Sequence, residues 1–139
     1  MTPDRLRIAI AGASGRMGRM LVEAVLAAPD CQLVGALDVT TCPALGHDAG
    51  AYAGQHSGVL ITSDLRAGLG NAQVLIDFTR PEGTLAHLAV CRALGVKAVI
   101  GTTGFSPSQK AEVTAHAQHI ALMMAPGTRP GAPACPRAG

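Results

Sequence analysis

The chain has no tryptophan, one tyrosine and two phenylalanines in 139 residues, and only 14% of it is charged. With 48% hydrophobic residues there is enough to fill a core, but that core must be aliphatic. The scarcity of charge sets the chain apart from an ordinary disordered tail, in which high charge and low hydrophobicity prevent burial. Few aromatics and the lack of a basic cluster argue against a nucleic-acid surface, which needs phosphate-neutralising cations and stacking platforms. The formal charge of +2 comes from the far C-terminus, because without Arg129 and Arg137 nine basic residues balance nine acidic ones. A small anionic ligand stays open, since a few local donors suffice for it. Cys31, Cys42, Cys91 and Cys135 form no C-x-x-C pair and have no histidine at metal-ligand distance, so no metal site is expected. Cys31 and Cys91 lie in apolar segments and read as small core residues. No apolar stretch reaches membrane-spanning length, and the run Ile8–Ala13, preceded by Asp4 and broken by Gly12, is a poor signal-peptide core. The expectation is a soluble, cytoplasmic protein with neither nucleic-acid nor membrane partners.

What is plentiful is glycine, 17 residues, with 9 prolines, which suggests tight turns rather than a helical bundle. Apolar runs alternate with segments of helical period. Strands are expected at Arg5–Ala11, Cys31–Leu37, Val59–Thr62, Val74–Phe78, Val96–Ile100 and Ile120–Met124. A helix is expected over Arg16–Ala28, stopped by Pro29. A brief one follows Ser63 or Asp64 toward Leu69, and a third starts at Pro81 and closes at Gly95. A fourth starts at Ser106, where Pro107 and Gln109 complete a capping box. Val39–Gly58 has no period and reads as a long loop with some irregular helix. Strands apolar along their whole length, alternating with helices, imply a parallel sheet covered on both faces, with ligands beyond the strands' carboxyl ends.

The strongest local pattern is Gly12-Ala13-Ser14-Gly15-Arg16-Met17-Gly18, with G-x-x-G-x-x-G spacing, between an expected strand and an expected helix. Gly12 would turn the chain, Gly15 would let backbone approach a pyrophosphate, and Gly18 would pack the helix on the sheet. Amides at the helix start would then face the phosphates, with Arg16 or Arg19 adding charge. Asp38 stands twenty residues after Gly18 at a strand end, the place of an acid that accepts from the adenosine ribose hydroxyls. Val39, Thr40 and Thr41 follow it with no cation, which favours NADH over NADPH. Thr79–Thr84 follows the strand VLIDF. Its Arg80 is a contact candidate, and an Asp77–Arg80 pair is the structural alternative. Gly101, Thr102, Thr103 and Gly104 offer hydroxyls and amides at the nicotinamide end, or serve as a helix-entry turn. None of the five histidines reads as an acid or base; His87, His116 and His119 suit surface or capping roles. No catalytic residue is identified.

RIAIAGASGRMGR, VLIDFTRPEGTLAHL and VIGTTGF, in that order, closely resemble the N-terminal domain of the 4-hydroxy-tetrahydrodipicolinate (dihydrodipicolinate) reductases over residues 5–126. The resemblance implies a Rossmann-like doubly wound α/β fold, incomplete because it lacks the substrate domain. It further implies NADH- or NADPH-dependent reduction in lysine and diaminopimelate biosynthesis. Coenzyme contacts map to Gly12–Gly18, Asp38 and Gly101–Gly104. The family is homotetrameric, and its proton donor, tetramer-forming sheet and returning C-terminal helix have no counterpart in these residues. The chain alone is therefore expected to bind coenzyme without turnover. A different dehydrogenase's coenzyme domain and a non-enzymatic NAD(P)-binding module are the alternatives. Residues 127–139, with Pro130, Pro133 and Pro136 three apart, read as a disordered or polyproline-like tail. So abrupt a change of composition is also what a truncation, a frameshift or a gene-model artefact leaves.

Overall fold

A computed structural model describes residues 5–124. Six strands run parallel: β1 (Leu6–Ala11), β2 (Cys31–Leu37), β3 (Ile61–Thr62), β4 (Val74–Asp77), β5 (Lys97–Ile100) and β6 (Leu122–Met124). They lie in the order β3-β2-β1-β4-β5-β6, and β1 pairs with both β2 and β4. The chain thus reverses its direction of winding between β1 and β4, which opens a crevice at their carboxyl ends. Four helices connect the strands: α1 (Arg16–Ala27), α2 (Leu65–Leu69), α3 (Pro81–Leu94) and α4 (Pro107–Ala117). The expected Rossmann-like doubly wound architecture is the one observed.

Alternation along β1 divides the interior in two. Ala9 and Ala11 point to a cluster built with Leu69 of α2, Leu88 and Cys91 of α3 and Val113 of α4. Ile8 and Ile10 point to the opposite face, against Val22 and Val25 of α1 and Ala49 of the loop before β3. That second face is covered unevenly. In register across the sheet, Ile10 is fully buried, Ile76 and Val99 are partly buried, and Met123 is 63% exposed. The expectation of cover on both faces therefore holds for β1 to β3 and fails at β5 and β6 among the described residues. Cys91 is a buried core residue as expected, its thiol pushed up to about 12 by burial and by the charge of Asp77, whereas Cys31 is only half-buried.

Helix ends follow local chemistry. Asp64 caps α2 by accepting from the Ala67 amide at 3.1 Å, and Gly95 ends α3 in the left-handed region at φ +77°. Ser106 and Gln109 form the expected reciprocal capping box on α4. One glycine in β2 was not anticipated. Gly35 sits beside a register shift, where a Cβ would lie 1.9 Å from the Gly68 carbonyl oxygen, so α2 crosses β2 in near-backbone contact. Residues 127–139, where the tail is expected, and Cys135 lie outside the described residues.

Candidate functional site

The turn after β1 is built from residues with different duties. Gly12 has φ +74°, a conformation that other side chains resist, and a Cβ there would also press on Thr79 of the β4–α3 loop at 3.0 Å. Gly18 is buried, and a Cβ on it would overlap the Gly12 carbonyl oxygen at 1.9 Å. Gly15 differs from both. Its φ is −78°, and the nearest atom to a Cβ would be 3.4 Å away, an ordinary contact. The protein's own packing does not demand glycine at position 15, which leaves a cradle that a side chain would fill.

Gly15 is also the N-cap of α1, with no side chain capping the helix and no acid in its first turn. The helix dipole and the unsatisfied amides of that turn are thereby left to an outside anion. Arg16 is exposed at the first helical position. Arg19, one turn on, lies over the Tyr52 ring at 4.9 Å.

Asp38, just past β2, faces this turn and is half-buried. Its carboxylate accepts from the Ser14 amide at 3.0 Å, from the Ser14 hydroxyl, and from the Val39 amide at 2.8 Å. Two carboxylate oxygens offer about four acceptor sites, so the group has capacity beyond these bonds. The Ser14 hydroxyl also meets the Cys42 thiol at 3.1 Å. Val39 is 64% exposed and brings no charge.

The aperiodic stretch Val39–Gly58 is a loop organised by one carboxylate, and it runs on to residue 60 because β3, expected from Val59, begins at Ile61. Asp48 accepts from the amides of Gly50, Ser57 and Gly58 and from the Ser57 hydroxyl, all within 2.9 Å. The Ser57 amide does most to hold its carboxyl well below the ordinary range; burial opposes this, and the other donors reinforce it. A single 3₁₀ turn, Ala51–Ala53, then sets Tyr52 against α1, where its hydroxyl donates to the Arg19 carbonyl and Glu23. Burial first, and then Glu23, push that phenol up to about 12. Ala13, Ser14, Arg19, His47 and Tyr52 line a cleft of about 290 Å³ between the loop and the glycine turn.

Across the crevice, the loops after β4 and β5 meet on Asp77, which is fully buried. Its partner is not Arg80, which is exposed at the N-cap of α3, but His87 at 2.6 Å. The surface or capping role expected for His87 is therefore corrected: its side chain is 12% exposed and serves a buried carboxylate. Gly101 is buried and donates its amide to the Asp77 carbonyl at 2.7 Å. Thr102 is 4% exposed, and its hydroxyl points to Thr84 at 2.7 Å, so only its backbone is left for a ligand. Thr103 is half-buried. The structure thus brings Gly12–Gly18 and Asp38 together and sets Thr79 and Arg80, with Gly101–Thr103, at the neighbouring strand ends.

Residues 6–128 match the model of the family described as dihydrodipicolinate reductase, N-terminus. The chain belongs to the dihydrodipicolinate reductase family. It is 58% identical over 128 residues to 4-hydroxy-tetrahydrodipicolinate reductase of Herminiimonas arsenicoxydans, covering 92% of this chain and 48% of that one. It is 60% identical over 120 residues to the enzyme of the same name from Cupriavidus pinatubonensis, covering 86% and 45%. Among solved structures, dipicolinate-bound dihydrodipicolinate reductase from Paenisporosarcina sp. TG-14 is similar with a TM-score of 0.70 at 28% identity, covering 88% of this chain and 48% of that one. The chain spans about half the length of these curated relatives. In this dihydrodipicolinate reductase domain, sequence reasoning missed two features beside the candidate site, the Asp77–His87 pair and the loop organised by Asp48. His87 did carry a signal. It falls on the same helical stripe as Thr84, Leu88 and Cys91, all of which are buried.

Proposed function

We propose that the chain is the coenzyme-binding half of an NAD(P)H-dependent reductase acting on 4-hydroxy-tetrahydrodipicolinate in lysine and diaminopimelate biosynthesis. The observation that carries this reading is the uncapped start of α1 with an unfilled Gly15 cradle, facing the acceptor Asp38. A nicotinamide dinucleotide fits these residues. Backbone amides of the first turn of α1 would hold its pyrophosphate, with Arg16 adding charge, and Asp38 would hold its adenosine ribose. The bound coenzyme supplies a hydride. The chain's residues bind and orient, and His87, the histidine beside the β4 strand end, is committed to Asp77. In this reading the proton for the reduction comes from groups outside residues 5–124.

NADH is the preferred coenzyme in this reading. A 2′-phosphate would meet the carboxylate of Asp38 with no cation at Val39 to offset it. No helix among the described residues is long and apolar enough to cross a membrane, which accords with a cytoplasmic enzyme. The tetramer of the family is assigned, likewise, to the part of the relatives that this chain does not span. Calorimetric titration of the 139-residue protein with NADH and NADPH tests the proposal. Saturable binding of both, tighter for NADH, is expected, with no steady-state reduction of substrate. Absence of binding to a folded sample would overturn the coenzyme reading, and turnover would overturn the division of labour.

A further inference from the structure

We infer that His87 is a positioning residue that holds the loops after β4 and β5 in one geometry through the buried carboxylate of Asp77. The inference rests on the coenzyme reading above, because those loops stand at the strand ends beyond the pyrophosphate turn, on the nicotinamide side of the crevice.

Asp77 occupies the end of β4, and every element around it is tied to it. Oδ1 accepts from the Thr79 amide at 2.9 Å and the Thr79 hydroxyl at 2.6 Å, which fixes the β4–α3 loop as it leaves the sheet. The Asp77 carbonyl accepts from the Gly101 amide at 2.7 Å, and the Thr102 hydroxyl lies 3.4 Å from Oδ1, which fixes the β5–α4 loop. Oδ2 faces His87 Nδ1 at 2.6 Å, reaching it from two turns into α3. An ionised carboxylate only accepts, so Nδ1 carries the proton in this bond. Thr84, also on α3 and fully buried, closes the circuit by meeting Thr102 at 2.7 Å.

The consequence is mechanical. A buried charge that loses its partner is costly, so Asp77 cannot release His87 without drawing Thr79 and Thr102 into a new arrangement. One carboxylate and one imidazole thus set the spacing between two loops that share no covalent continuity within twenty residues. Small displacements at such a place act on a ligand out of proportion to their size.

The test separates the two ends of the coenzyme. In this reading ADP is held chiefly by the glycine turn and Asp38, whereas NADH would also reach the two loops. Calorimetric titration of the 139-residue protein with each ligand is compared for wild type and three variants. His87→Ala is expected to weaken NADH by about tenfold while ADP stays within about twofold. His87→Asn keeps an amide donor near the place of Nδ1 and should recover most of the NADH affinity. Thr84→Val is nearly isosteric and guards against a His87→Ala protein that does not fold; it should weaken NADH by roughly threefold and spare ADP. Equal loss of both ligands, unchanged NADH binding in the folded variants, or no rescue by asparagine would overturn the inference. Wild type that binds ADP and NADH, followed by any of these results, leaves the coenzyme reading standing. Folded wild type that binds neither overturns that reading and this inference with it.

Discussion

Asp38 and Asp77 stand at the carboxyl ends of β2 and β4, on either side of β1, yet they are opposites. Asp38 is half-buried, bonded to Ser14 and Val39 around an exposed cradle, and it retains capacity to accept. Asp77 is buried to the last atom and spends its oxygens on Thr79, His87 and Thr102. The helices that follow β1 and β5 repeat the contrast. α4 caps itself with Ser106 and Gln109, whereas α1 begins at a bare glycine. Where the protein satisfies its own polar groups it makes a frame, and where it leaves them unsatisfied it makes a site.

The contrast breaks most visibly at Asp77. Asp77→Ala strands His87 and the Thr79 donors and should cost about 3–5 kcal/mol of stability, read from the urea midpoint. Asp38→Ala frees donors that water can reach, so its stability should fall by only about 1 kcal/mol. Its effect belongs to the ligand instead: NADH affinity should fall by about 1.5–3 kcal/mol in a calorimetric titration, the value of hydrogen bonds to a charged group. If the two variants exchanged these signatures, the assignment of frame and site would be reversed.

The smallest expected effect is the pH dependence that Asp77 supplies. Burial pushes its carboxyl up, but the His87 bond and charge, with the Thr79 bonds, outweigh burial, and the net shift is downward. A carboxyl lowered in the folded state adds stability that is complete above its unfolded value of about 3.9 and is lost as pH falls through the lower folded value. The gap in urea midpoint between wild type and Asp77→Ala should therefore be full at pH 6 and narrow toward pH 3. A gap that widened in acid would contradict the direction of the shift.

How much of this was legible in sequence depended on whether the cause was local. The strand ends and helices were legible because apolar runs, Pro81, Gly95 and the Ser106–Gln109 box act within one turn of themselves. The glycine turn and Asp38 were legible because their spacing is itself the signal. The loop 39–60 was not, since its order comes from one carboxylate gathering donors from Gly50, Ser57 and Gly58 rather than from any period. Gly35 and the Asp77–His87 pair were hidden for a different reason. Each meets a partner whose position is known only once α2 or α3 lies on the sheet.

Tyr52, seated between Arg19 and Glu23 on the helix that opens the phosphate turn, is the chain's only tyrosine, and there is no tryptophan. The protein's tyrosine emission and phenolate absorbance thus have one origin. That origin sits on the wall of the cleft beside Ser14. The molecule carries its own optical probe for the docking of loop 39–60 against α1, readable without a label.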